Sequence, residues 1–168
     1  MSYTRHFQHA DDVIAHLNTI VPTLPDPLLQ AKYVGFVAVV AVTVYELALK
    51  EIFIEFGRKK HKVFGTFTEA YFDRINGRIK FRAIKDDYIS RFGEKYLSRF
   101  RRKVEGSTRL YLRNHGRDIT SSYGNIITWR NNFAHEGETR TTATYTEAVQ
   151  TYEDGKEILR CLAETMTR

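Results

Sequence analysis

An arginine and a histidine five positions apart, Arg130 and His135, stand in the run Trp129-Arg130-Asn131-Asn132-Phe133-Ala134-His135-Glu136-Gly137. Histidine titrates near pH ~6.5 in an ordinary setting, so it can take or give a proton at neutral pH. Arginine stays charged and offers a planar fork to phosphate oxygens, which suits stabilising extra negative charge in a transition state. Together they are tools for acid–base chemistry at a phosphate. Asn131 can orient the imidazole or hold a phosphate, and can equally cap the helix end. Plainer roles exist as well: a histidine against the last carbonyls of a helix, and an arginine in a structural salt bridge. With 6 histidines in a chain carrying 26 Lys and Arg, Arg/His spacings of this kind also arise by chance. Arg109 and His115, with five residues between them, form a second such pair. Context favours the later pair: Asn131 beside the arginine, the small Ala134, the helix end and a position before the last helix.

On an ideal helix five residues turn through about 500°, leaving Arg130 and His135 about 140° apart. Asn131 and His135, four apart, are neighbours. One straight helix therefore cannot aim both Arg130 and His135 at one phosphate. Either the helix unwinds near Phe133, or a two-fold interface brings two copies together so that each completes the other's site.

The elements that must hold this pair read as helices. Phe7, Ala10, Ile14, Leu17 and Val21 recur at three and four residues. A Pro-rich turn follows, in which Asp26 and Pro27 form a helix start. A long, apolar second helix is predicted over about 27–57; it would be the central one. Tyr33 to Tyr45 gives thirteen uncharged residues between Lys32 and Glu46, short of the roughly 20 that a membrane-spanning helix needs. The stretch 66–92 reads as one or two shorter helices broken at Gly77 and Gly93. Asp118, or one of Thr120, Ser121 and Ser122, caps a helix running to about His135, with Gly137 as its stop. Residues 137–143 read as an exposed loop, and Thr144 with Glu147 forms a capping box for the last helix. Ala148, Tyr152, Leu159, Ala163 and Met166 line one face of it. The expectation is a single domain over 1–168: an all-α, up-and-down bundle of five to six helices.

Glu46 is the odd residue in the apolar helix. A buried carboxylate must be paired, so it should meet a cation. Arg130 is one candidate, which would make Glu46 a support for the arginine fork; Lys50, one turn on, is the other. Aromatic residues at Phe81, Tyr88, Phe92 and Tyr96 could be base-stacking platforms, but core packing is the better reading in a helical bundle.

Charge is distributed unevenly. Between positions 58 and 117 there are 18 Lys and Arg against 6 Asp and Glu, so this stretch carries +12 and the remainder −6 of the net +6. On the helix predicted from Glu94 to Arg113, Leu97, Phe100, Val104 and Tyr111 share one face. Lys95, Arg99, Arg102, Arg109 and Arg113 repeat along another. Such a stripe suits a polyanion, because phosphate contacts supply most sequence-independent nucleic-acid affinity; a merely solvated basic surface would look the same. Cys161 is the single cysteine, which excludes an internal disulfide framework and a thiolate zinc cluster. No metal-ligand spacing, phosphate loop or helix-turn-helix pairing is evident, so no metal or other cofactor is expected. Met1 to Asp12 lacks an apolar stretch behind a positive start, which predicts no signal peptide and a cytoplasmic protein without a membrane segment.

The run Arg-Asn-x-x-Ala-His followed closely by Gly resembles the HEPN superfamily, in particular its RiboL-PSP group and related toxin and phage-defence members. That likeness would cover nearly the whole chain. It implies a helical bundle with the motif late in the sequence, and a homodimer that offers two histidines as base and acid. It also implies a metal-independent endoribonuclease with Arg130, Asn131 and His135 at its centre. In such a reaction the RNA 2′-hydroxyl attacks the adjacent phosphorus, leaving a 2′,3′-cyclic phosphate and a 5′-hydroxyl. An enzyme of that kind would need restraint by an antitoxin or defence-system partner protein. The alternative is a catalytically silent HEPN-like subunit that dimerises or binds RNA within a larger complex.

Overall fold

A computed structural model describes residues 2–167. Seven α-helices lie among the described residues, with no strand: α1 Arg5–Ile20, α2 Pro27–Ala31, α3 Tyr33–Lys60, α4 Lys62–Phe72, α5 Glu94–His115, α6 Ile119–Glu136 and α7 Tyr145–Met166. Short helical turns of other pitch link them, including a π-type turn Ala83–Tyr88 and a 3-10 turn Ile89–Phe92. The number of α-helices thus exceeds the expected five to six.

The excess comes from two places. The helix predicted over 27–57 is divided at Lys32, whose N–H is shared between the carbonyls of Gln30 and Leu29. α2 buries no residue, and the first buried position of α3 is Val34, so the division falls where packing begins. Near the other end, α3 continues to Lys60 and His61 turns out of it in an extended conformation. The Nδ1 atom of His61 then accepts a hydrogen bond from the Val63 amide and starts α4. Three local starts fall where the sequence puts them. Asp26 accepts from the Leu28 amide at 2.9 Å, Asp118 from the Ser121 amide at 2.8 Å, and Thr144 with Glu147 makes the reciprocal capping box. Each satisfies amides that a helix start leaves without partners.

α3 is the hub. It packs against α1, α4, α6 and α7, while α5 lies on α7. Beneath it Tyr45 is sandwiched between Tyr123 and Tyr152, with ring centroids 5.2 and 5.8 Å apart. Burial pushes all three phenols up, so they stay neutral and donate. Starting from the half-buried Tyr33, the exposed positions Phe36, Val39, Thr43 and Leu47 form one line along the first turns of α3. Apart from Thr43, that line is apolar or aromatic.

Phe81 lies against Phe100, Phe92 stacks on Phe53, Tyr96 meets Phe56 edge-on and Tyr88 packs on Phe72. These four aromatics fill space in the bundle. On α5, Leu97, Phe100 and Val104 are buried, and Lys95, Arg102, Arg109 and Arg113 point to solvent on the opposite side. Where α5 passes to α6, Arg117 grips the buried Asp154 of α7 through two hydrogen bonds of 2.6 and 3.0 Å.

Between α4 and the π-type turn, residues 73–79 make a tight wall. Ile75 and Ile79 are buried. Tyr88 donates to the Arg78 carbonyl at 2.7 Å and Tyr123 to the Ile79 carbonyl at 2.8 Å. The turn is therefore fastened from below, and its residues face outward from a fixed base.

Candidate functional site

α6 carries both members of the predicted pair, and it remains helical through Phe133 to Glu136, where Gly137 stops it in the left-handed conformation. Unwinding near Phe133, one of the two ways to bring Arg130 and His135 together, does not occur. Arg130 continues the inner face of α6: seven, four and three residues before it lie Tyr123, Ile126 and Ile127, all buried. His135, about 140° further round, is exposed and makes no side-chain hydrogen bond among the described residues. Within one chain the two groups stand in separate surroundings.

Arg130 reaches into an open cleft of about 360 Å³ formed by Val39, Thr43, Glu46 and Leu47 of α3 and by Asn76 and Gly77 of the wall. Its Nε is buried without a hydrogen-bond partner. A buried donor left unpaired costs about 1–3 kcal/mol, and in a folded protein it calls for an explanation such as a ligand. No carboxylate among the described residues forms an ion pair with Arg130. Glu46, the candidate support, instead meets Lys50 at 2.8 Å and accepts from the Gly77 amide at 2.8 Å. Its side chain retains 22% exposure, which is why the neighbouring lysine suffices as its cation. Glu46 therefore acts on the wall rather than on the arginine fork. Asn131 is half-buried and free of side-chain hydrogen bonds to the described residues, and it lies one turn before His135 on the outer side of α6.

Asn76 and Gly77 border the cleft although sequence reasoning does not single them out; Gly77 reads there only as a break. Both adopt left-handed backbone angles, φ 41° and 77°, and the Asn-Gly pair is itself a known turn signal. A methyl group on Gly77 would sit 3.2 Å from Nη2 of Arg130 and 4.0 Å from Oε2 of Glu46. Gly77→Ala should cost about 1 kcal/mol for the left-handed backbone alone. It should also displace the guanidinium by a few tenths of an ångström. Chemical denaturation reads the first effect, and any activity that depends on the position of Arg130 reads the second.

A family model for RiboL-PSP-HEPN matches residues 5–168. The chain belongs to that family. No curated protein and no solved structure matches it. In this HEPN bundle the earlier pair, Arg109 and His115, occupies the exposed end of α5, where Arg109 faces Glu105 at 3.5 Å and His115 leans on the Tyr111 ring. Neither borders the Arg130 cleft. Of the basic stripe, Arg99 is partly used within the fold, donating to the Thr165 carbonyl at 3.3 Å. Lys95, Arg102 and Arg113 are exposed and carry no ion pair among the described residues. Among the described residues no group of three or more His, Cys, Asp or Glu side chains is placed to hold a metal ion. No helix there is long and apolar enough to cross a membrane.

Proposed function

We propose that this HEPN domain is an endoribonuclease of the toxin or phage-defence type, whose site is completed by a second copy of the chain. The observation that carries this reading is the Arg130 cleft: a guanidinium with a buried, unpartnered Nε, at an opening whose other wall is the apolar line of α3. Phe36 and Leu47 on that line are 50% and 42% exposed, and Phe36 touches Phe133 of α6, centroids 5.2 Å apart. A two-fold axis through this line would bury the apolar side chains and set two α6 ends side by side. Each His135 lies only about 7.5 Å along the helix from its own Arg130. The partner's copy then supplies the imidazole that one chain cannot turn inward.

In that arrangement Arg130 holds the non-bridging oxygens of the scissile phosphate. One His135 takes the proton of the 2′-hydroxyl as its oxygen bonds to phosphorus. The other gives a proton to the departing 5′-oxygen. Asn131, a helical turn before His135, orients its ring or the phosphate. Lys95, Arg102, Arg109 and Arg113 hold flanking RNA by charge. No metal takes part in these steps. Restraint by an antitoxin or defence-system partner follows from the harm that an unrestrained nuclease would do.

Product chemistry tests the mechanism. RNA incubated with the protein in EDTA should yield 2′,3′-cyclic phosphate and 5′-hydroxyl ends, detectable by mass spectrometry. Cleavage that stops in EDTA, or that leaves 5′-phosphates, counts against it. Family membership is also compatible with a silent bundle, and the separation of Arg130 from His135 within one chain favours that second reading if no dimer forms in solution.

A further inference from the structure

A second cleft, about 660 Å³, lies on the other side of the 73–79 wall and is lined by Phe67, Tyr71, Arg74, Arg78, Asp87 and Arg91 among others. Three guanidinium groups face one carboxylate there. None of Arg74, Arg78 and Arg91 has an ion pair or a side-chain hydrogen bond among the described residues, whereas Arg58, Arg117, Arg140 and Arg160 are all paired with carboxylates. All three are exposed and leave the core untouched.

The aromatic side chains at this cleft are placed differently from those of the core. Phe67 is 63% exposed, and its ring lies nearly parallel to Tyr71, 15° between planes. The Arg91 guanidinium sits 5.3 Å from the Tyr71 ring centre. Flat rings beside unpaired guanidiniums are what a strand of unstacked bases requires: faces to stack on and charge for the backbone. The floor is rigid, since Tyr88 is buried and fastened to the Arg78 carbonyl. Burial pushes its phenol up to about 12, so it remains a donor.

Position links this cleft to the first. Asn76 and Gly77 face Arg130, while Arg74 and Arg78, their near neighbours in the same turn, face the second cleft. We propose that the Phe67–Arg91 cleft is a subsite for single-stranded RNA flanking the scissile phosphate, with Arg74 and Arg78 on backbone phosphates and a base stacked on Phe67. This rests on RNA being the substrate of the Arg130 site. The subsite would make the protein favour unpaired segments, because a duplex offers no free base face to Phe67.

Fluorescence anisotropy with a 2′-O-methyl single-stranded oligonucleotide, which cannot be cut by its own 2′-oxygen, isolates binding from chemistry. The Arg74→Ala/Arg78→Ala/Arg91→Ala protein should bind it at least ~30-fold more weakly, with a salt dependence shallower by roughly 0.7 for each phosphate no longer neutralised. Phe67→Ala should bind the single strand roughly tenfold more weakly, with duplex RNA affinity unchanged. Affinity of the triple variant within about twofold of wild type overturns the subsite, since even one phosphate released should exceed that. So does selective weakening of poly-glutamate binding with RNA binding intact, which would mark an acidic protein partner instead. The catalytic reading fails separately: wild type that binds but does not cut natural RNA sinks the nuclease and leaves the Phe67–Arg91 cleft as a site that binds single-stranded RNA without a scissile phosphate beside it. Conversely, a triple variant that cuts with unchanged KM sinks the subsite and leaves the nuclease.

Discussion

If the proposed ribonuclease reading holds, His135→Ala should lower RNA cleavage by about 10²–10⁴-fold, the usual worth of a positioned acid or base, and leave the melting temperature where it was. Stability is unaffected because the imidazole is exposed and makes no hydrogen bond to the described residues. The separation of the two readouts matters. A drop in activity together with unfolding would say nothing about chemistry, and this position avoids that confusion. Expression of wild type and His135→Ala in cells, with growth and RNA integrity followed, gives the same comparison in vivo. Full activity in His135→Ala, with activity abolished in His115→Ala, would move the site to the Arg109 pair on α5.

Leu47→Asp should turn a dimer into a monomer and remove cleavage with it. Leu47 is exposed in the single chain, so an aspartate there stays solvated and the fold survives. In a two-fold interface the same aspartate would be pressed against its own copy and desolvated; because Leu47 also borders the Arg130 cleft, lost cleavage supports the composite site only where sedimentation shows that the dimer has come apart. A penalty of about 3 kcal/mol is more than a hundredfold in the dimer dissociation constant. Sedimentation velocity reads the association state and a cleavage assay reads the consequence. A wild-type protein that sediments as an active monomer would remove the composite site altogether.

The parts of this structure that are legible in the sequence are those decided within a turn or two of chain. Asp26, Asp118 and the Thr144–Glu147 box start helices through contacts two or three residues away, and the inner face of α7 follows from helical spacing alone. The likeness around Arg130 and His135 points to the family, and simple helix arithmetic already shows that the two could share a phosphate only through a second copy or a broken helix. What stays hidden depends on distant partners. The division at Lys32 falls between a segment with no buried residue and one whose burial begins at Val34. The role of Glu46 is set by the Gly77 amide, 31 positions away. In the sequence Arg74, Arg78 and Arg91 look like ordinary surface charge within a basic stretch. Only the fold shows them converging beside an exposed phenylalanine.

The seating of Phe133 against α3 has a mechanical consequence. A methyl group on Gly35 would come within 2.2 Å of the Phe133 ring, so the end of α6 is held in a notch and cannot slide along its neighbour. Phe133 precedes His135 by two residues and touches Phe36 on the open line. A second copy seated on Phe36, as proposed, would therefore also hold the segment bearing the imidazole. Binding at His135 and association through Phe36 would then be coupled through this one contact, each changing the other's affinity by the same factor.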